Sequence, residues 1–369
     1  MRKDRLLQYF LDFVQIDSPT GEERDFANHL IPILESLGMQ VQIDDTGKRA
    51  GSNSGNLIGR LPATSDGPSI LFSSHMDTVS PSRGVNPIVR DGIVYSDGTT
   101  VLGGDDKAGI AAIIEGIQTV VDENIPHGDI EVVFTICEEG GLFGSKYLDY
   151  SKLNSKIGYV FDTGGSVGKI IIGGPSQAQI TATFTGREAH AGVSPEEGIS
   201  AIQMLATAIS NMKLLRVDQD TTANIGQIEG GGPTNIVTKQ ATFFAEARSL
   251  DEAKLAEQIH HMREACYASA EEYGGSVEFI DSLAYSAFNV PVESEVVQNV
   301  IKALANIGIE GVPTKTGGGS DTSNYNENGI SAVNLSIGET KPHTLEESIR
   351  IEDLNNSARL VIELIKLYA

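Results

Sequence analysis

The chain is most constrained by an alternation: short apolar, β-branched runs that end in acidic residues or histidine, separated by helix-period segments. Ile70-Leu71-Phe72 runs through two serines into His75, Val132-Val133-Phe134-Thr135-Ile136 into Cys137-Glu138-Glu139, and Gly158 to Phe161 into Asp162. Runs this apolar are covered on both faces, so they belong to a sheet with helices on either side. Between them, Ala108 to Val121 sets Ile110, Ile113, Ile114, Ile117, Val120 and Val121 on one broad helical face. Helices are expected over 4–14 and 22–37, parted by Ser18-Pro19-Thr20-Gly21, with Gly38 ending the second. Strands are expected at Val41 to Ile43, Asn56 to Arg60, Ser69 to Ser73 and Ile130 to Cys137, and a short helix at Lys146 to Leu148. The fold class is α/β: an open mixed sheet with helices on both faces.

The pattern changes near residue 174. Gln179 to Thr185 alternates like a half-exposed antiparallel strand. A helix at Ser200 to Lys213, strands at Thr222 to Ile228 and Asn235 to Ala247, a helix at Asp251 to Tyr273 and a strand at Ser276 to Leu283 follow. The order β-α-β-β-α-β is the ferredoxin-like signature. An inserted α+β domain over 176–284 is therefore expected, dividing the main domain into 1–175 and 285–369. Helices at Glu293 to Gly308 and Ile351 to Tyr368 complete the latter.

A formal net charge of −23 disfavours nucleic acid and anionic membranes as partners. Two cysteines, Cys137 and Cys266, cannot staple a secreted scaffold. The amphipathic start has no uninterrupted apolar core of a signal peptide, and no stretch approaches the ~20 apolar residues that span a bilayer. A cytoplasmic protein is the expectation.

Five stretches carry chemistry, each at or just past a strand end, where open α/β sheets present their sites. In Ser73-Ser74-His75-Met76-Asp77 a histidine can bind a metal while the carboxylate two residues on takes its other ring N–H. In Gly103-Gly104-Asp105-Asp106-Lys107 two acids open an apolar helix; capping accounts for one of them comfortably, for both less well. Glu138-Glu139 puts adjacent carboxylates after a buried strand, which raises at least one pKa unless a cation compensates. Asp162, and His343 in Lys341-Pro342-His343-Thr344-Leu345-Glu346-Glu347, complete the set. Alone, each reads as a turn, a cap or a surface loop; together they form a mixed N/O donor set suited to zinc, with cobalt or manganese as substitutes.

In this order the stretches resemble the co-catalytic zinc peptidase family that includes peptidase T, carboxypeptidase G and the aminoacylases. The stretch Ser96-Asp97-Gly98-Thr99-Thr100-Val101-Leu102-Gly103-Gly104-Asp105-Asp106-Lys107-Ala108-Gly109 looks most like the peptidase T, or aminotripeptidase, branch. The resemblance implies two zinc ions, one held by His75 and Asp162, the other by Glu139 and His343, with Asp105 bridging and the bond after it cis. It implies Asp77 orienting His75, and Glu138 as the base that activates a metal-bridging water. Gly186-Arg187-Glu188-Ala189-His190-Ala191-Gly192 is similar to the family's lid motif, whose histidine, often from a partner subunit, stabilises the oxyanion. Asn235 and Arg248 fall in segments resembling those that contact substrate, and Gly318 and Ser320 in a glycine-rich substrate loop. The implied protein is an aminopeptidase of short peptides, dimeric through a lid domain. An N-acyl amino-acid deacylase or carboxypeptidase-type amidohydrolase is the alternative on the same centre, and a catalytically silent binding protein the remote one.

Overall fold

The computed structural model describes all 369 residues. The chain divides into two compact units: Met1–Gly173 with Phe288–Thr316 and Ser320–Ala369, and Gly174–Ala287 with Gly317–Gly319.

The larger unit is built on a nine-stranded mixed sheet. Ile70–His75 lies at its centre, parallel to Ile130–Thr135 on one side and to Ile157–Thr163 on the other. Ser331–Ser336 continues the parallel set, while Leu57–Leu61 joins the other edge antiparallel. Alternate residues of these strands enter different cores. Phe72, Phe134, Tyr159 and Phe161 pack on one face with the helices Lys3–Val14, Gly104–Asp122 and Ile351–Leu367. Leu71, Val133 and Val160 pack on the other with Tyr325 and Ile330. Both faces are thus covered, which is why the strands carry no polar alternation. The helix Gly104–Asp122 lies so close to the sheet that a Cβ on Gly109 would stand 2.3 Å from the Phe161 carbonyl oxygen. Only glycine permits that approach, and it brings the start of this helix to the strand ends.

A four-stranded sheet of Ile88–Arg90, Ile93–Tyr95, Glu339–Thr340 and Ser348–Arg350 was not foreseen from the sequence. Strands of two or three residues are too short to show a period. The short helix expected at Lys146 to Leu148 lies at Phe143–Lys146 instead. It starts after Leu142, whose φ of 59° turns the chain there.

The smaller unit is an antiparallel sheet ordered Thr221–Gly230, Gln240–Ser249, Ser176–Thr185, Ser276–Tyr285, with Leu215–Arg216 outside the first. The helices Ala201–Ser210 and Glu252–Tyr273 cover one face over Ile180, Phe184, Met204, Phe243, Met262 and Cys266. This is the ferredoxin-like arrangement. The strand expected over Asn235 to Ala247 begins only at Gln240. Before it, the Asn235 carbonyl accepts the Ala191 N–H and the Val237 N–H donates to Ala189, so this segment pairs with the residues around His190. No helix of the chain is long and apolar enough to cross a membrane.

Candidate active site

The five stretches converge at the carboxyl ends of the central strands. Asp105 lies in the middle. Its Oδ1 is 2.9 Å from His75 Nε2, and its Oδ2 is 3.1 Å from His343 Nε2. Asp162 Oδ1 approaches His75 Nε2 at 3.6 Å, and Glu139 Oε1 approaches His343 Nε2 at 2.8 Å. The two acids of the helix start diverge. Asp105 faces the cluster, while Asp106 turns back into the strand end, accepting the His75 backbone N–H at 3.1 Å and the Ser74 hydroxyl. The peptide between them is cis, and both residues depart from helical φ and ψ.

His75 is buried, and its Nδ1 stands 2.8 Å from the Asp77 backbone carbonyl. A carbonyl only accepts, so Nδ1 carries a proton; Nε2 faces the carboxylates of Asp105 and Asp162, to which it donates when the ring is charged and beside which it would offer a lone pair to a cation when the ring is neutral. The Asp77 carboxylate lies 3.5 Å from that ring nitrogen. Its shorter contacts go elsewhere: it accepts the N–H of Glu138 at 2.9 Å, that of Glu139 at 3.3 Å and the Thr20 hydroxyl at 2.8 Å. Asp77 thus holds the backbone of the Glu pair as well as the histidine. Asp162 is framed by Asn334, which accepts its N–H at 3.0 Å and donates to its carbonyl at 2.9 Å. Ser320 is buried, and its hydroxyl accepts from Asn334 at 3.0 Å, which ties it to the same frame.

The electrostatics are those of acids crowded out of water. Burial raises the Glu138 carboxyl well above its ordinary value, and the charge of Asp162 adds to this. Burial likewise pushes Asp162 up to about 7. Burial opposes ionisation of Asp105 too, but the bonds to His343 and His75 overturn it and hold that carboxyl well below the usual range. Burial disfavours a charged His75, yet Asp105, Asp162 and Asp77 raise its pKa well above the ordinary value. The carboxylates of Asp105 and Glu139 beside it raise His343 to about 10.

Three sets of side chains bring ligand atoms within 4.8 Å of one another: His75, Asp105 and Asp162; His75, Glu138 and Glu139; and Asp105, Glu139 and His343. The donor set fits divalent metal. It holds two imidazoles and several carboxylates, and Asp105 turns one oxygen to each histidine, as a bridging ligand does. Glu139 Oε1 and Asp106 Oδ1 are buried without a hydrogen bond of acceptable geometry, despite the approach of Glu139 to His343. Buried carboxylates are normally paired or coordinate metals.

The remaining predicted residues lie in the smaller unit or its loop. His190 is exposed; its Nδ1 accepts the Gly192 N–H at 3.2 Å, which leaves Nε2–H as a donor. His190 pairs with Ile236, next to Asn235. Arg248 donates from Nε and Nη2 to Glu246 at 2.8 and 3.0 Å, and from Nη1 to the Gly317 carbonyl at 3.4 Å, beside Gly318. Sequence reasoning assigned no role to Asn334 or Glu347 and took Thr20 only as a possible cap of the following helix. Asn334 lies 172 residues from Asp162 and Glu347 242 from Asp105, so no local spacing pointed to them.

An α/β sheet with buried acids and histidines at its strand ends, carrying an inserted ferredoxin-like unit, defines a class of hydrolases, and the comparisons name it. Residues 71–367 match the model of Peptidase family M20/M25/M40, and the chain belongs to that family. It is a peptidase of the peptidase T-like branch. It resembles the solved aminopeptidase PepT from Bacillus cereus at 43% identity and TM-score 0.92, over 99% of this chain and 98% of that one. A solved tripeptidase from Staphylococcus aureus is 41% identical at TM-score 0.96, over 100% and 99% of the two chains. The uncharacterized protein YqjE of Bacillus subtilis is 44% identical over 366 residues, 99% of each chain.

Proposed function

We propose that this peptidase is a di-zinc aminopeptidase that removes N-terminal residues from short peptides, with tripeptides as the preferred class. The observation that carries the reading is Asp105, whose two carboxylate oxygens face His75 and His343 separately. Asp162 stands by the first histidine and Glu139 by the second. In this reading His75 and Asp162 would hold one ion, Glu139 and His343 the other, and Asp105 would serve both. When bound, the ions supply Lewis acidity that polarises the scissile carbonyl and stabilises negative charge developing on its oxygen.

The chain's own residues supply the rest. Glu138 is the general base: it stands within the cluster beside His75 and Glu139, and burial makes its carboxyl a readier proton acceptor than an exposed one. It takes a proton from the attacking water as the water oxygen bonds to the carbonyl carbon. It then gives that proton to the amine nitrogen as the C–N bond breaks, so the charges balance. Asp77 keeps Glu138 and Glu139 in place through their backbone N–H groups. His190 donates from Nε2–H to the oxyanion. Asn235, Gly318 and Ser320 belong to the substrate-holding segments, and Arg248 pairs with a substrate carboxylate. The names of the similar solved proteins, an aminopeptidase and a tripeptidase, support this choice over a deacylase.

The reading includes a homodimer through the inserted unit and work in the cytoplasm; two free, buried cysteines fit a reducing compartment. A panel of tripeptides, dipeptides, N-acetyl amino acids and N-blocked peptides tests the substrate class on zinc-loaded protein. Cleavage of free-amine tripeptides first is expected. Turnover of N-acyl substrates alone would reject the aminopeptidase and leave the deacylase. Mixing His190→Ala with Glu138→Ala protein tests the dimer: recovered activity is expected, and none despite subunit exchange would remove His190 from a role across subunits.

A further inference from the structure

We infer that Glu347 is a positioning residue that ties the turn carrying Asp105 to the loop carrying His343. Its side chain is buried and both carboxylate oxygens are used. Oε2 accepts the N–H of Leu102 at 2.8 Å and of Gly103 at 3.0 Å, and Oε1 accepts that of Asp105 at 3.0 Å.

Leu102 and Gly103 lead into the helix Gly104–Asp122 and Asp105 lies in its first turn; the helix has no side-chain cap from its own N-cap residue. Such N–H groups need an acceptor, and the residue just before a helix ordinarily supplies it. Here the acceptor comes from 242 to 245 residues away. A local cap would hold the helix end equally well. A distant one also fixes the two loops against each other.

The place of that tie gives it its consequence. His343 is four residues before Glu347, and the Glu347 N–H closes the intervening turn on the Thr344 carbonyl at 3.1 Å. Asp105 and Asp106 lie outside helical φ and ψ, so the helix itself does not set the Asp105 backbone. Glu347 does so, while its own loop delivers His343 Nε2 to 3.1 Å from Asp105 Oδ2. A Cβ on Gly104 would sit 3.0 Å from Glu347 Oε1, so the glycine leaves room for the carboxylate. The exposed neighbour Glu346 pairs only with Lys341 and touches neither ligand.

This inference rests on the di-metal reading above, and the test separates the two. Glu347→Gln keeps the shape and replaces one acceptor oxygen with a donor; Glu346→Gln is the control. In metal-free protein, amide hydrogen exchange at Leu102, Gly103 and Asp105 should speed up by about tenfold or more in Glu347→Gln. Zinc affinity, measured by competition with a chromophoric chelator, should fall about 10–100-fold. Far-UV circular dichroism of the metal-free form should not change, and Glu346→Gln should match the wild type throughout. Wild-type-like exchange and affinity in Glu347→Gln would overturn the inference. So would collapse of its metal-free fold, which would make Glu347 a general support rather than one for the site. If the wild type itself takes up no zinc, the di-metal reading fails and this inference with it. If the wild type binds zinc and Glu347→Gln is indistinguishable from it, this inference alone fails.

Discussion

The two units of this chain hold their polar groups in opposite ways. In the larger one the acids and His75 are mostly buried, and distant residues lock their backbones: Asp77 for the Glu pair, Asn334 for Asp162, Glu347 for Asp105. In the smaller one His190 and Asn235 are exposed and tied through backbone pairing, and Arg248 is steered by Glu246 two residues away on its own strand. Carboxylates withdrawn from water repel one another, so a cluster of them keeps its shape only when a rigid frame or a cation holds it. Groups that meet a passing peptide need a reachable surface and can adjust. In the proposed reading one unit supplies fixed electrostatics and the other adaptable contact.

The sharpest way to break that comparison is at Glu138. Glu138→Ala should retain zinc, measured by metal analysis, while kcat falls about 10²–10⁴-fold, the usual worth of a general base. Near-normal turnover would remove Glu138 from the mechanism. Next in size is the frame. Asp77→Asn should weaken zinc affinity about 10–100-fold by loosening the Glu138 and Glu139 N–H groups and the contact to His75. An affinity equal to the wild type would mean that the frame is not needed.

In the smaller unit the expected effect is on binding alone. Arg248→Lys should raise KM about tenfold for peptides with a free carboxyl terminus, through the lost planar fork, and leave amidated peptides and zinc content unchanged. Equal effects on both peptide types would deny a carboxylate contact. The smallest effect is in proton traffic. His343, raised to about 10 by Asp105 and Glu139, is protonated in the metal-free protein at neutral pH. A cation has to displace that proton, so zinc binding should release protons, and affinity should rise with pH toward about 10 by no more than about tenfold per unit for this one group. Calorimetry in buffers of different ionisation enthalpy reads the release; no dependence on buffer would contradict it.

Much of this was legible in the chain itself. The unbroken apolar strands announced a two-faced sheet because burial on both sides removes the polar alternation, and Leu71 and Phe72 do enter opposite cores. The β-α-β-β-α-β order was readable because its strands are about ten residues long. The strands of two or three residues near Ile93 and Ile349 were not, and the start of the strand before Ala247 was misplaced. There, pairing with the segment around His190 outweighs the β-branched run Ile236-Val237-Thr238.

Sequence by itself determined which residues stand at the ends of which strands. That is local information, carried by hydrophobic period and by the glycine turns. The resemblance already implied Asp105 between the two histidines; only the tertiary structure decided the work of its neighbour, with Asp106 bracing the strand behind them. It alone showed that Glu347, rather than a neighbour in the chain, supports the Asp105 backbone. The physical reason is the same in both cases. A hydrogen bond or a shared charge depends on distance in space, and residues 31 to 245 apart in sequence come within about 3 Å only once the sheet has formed.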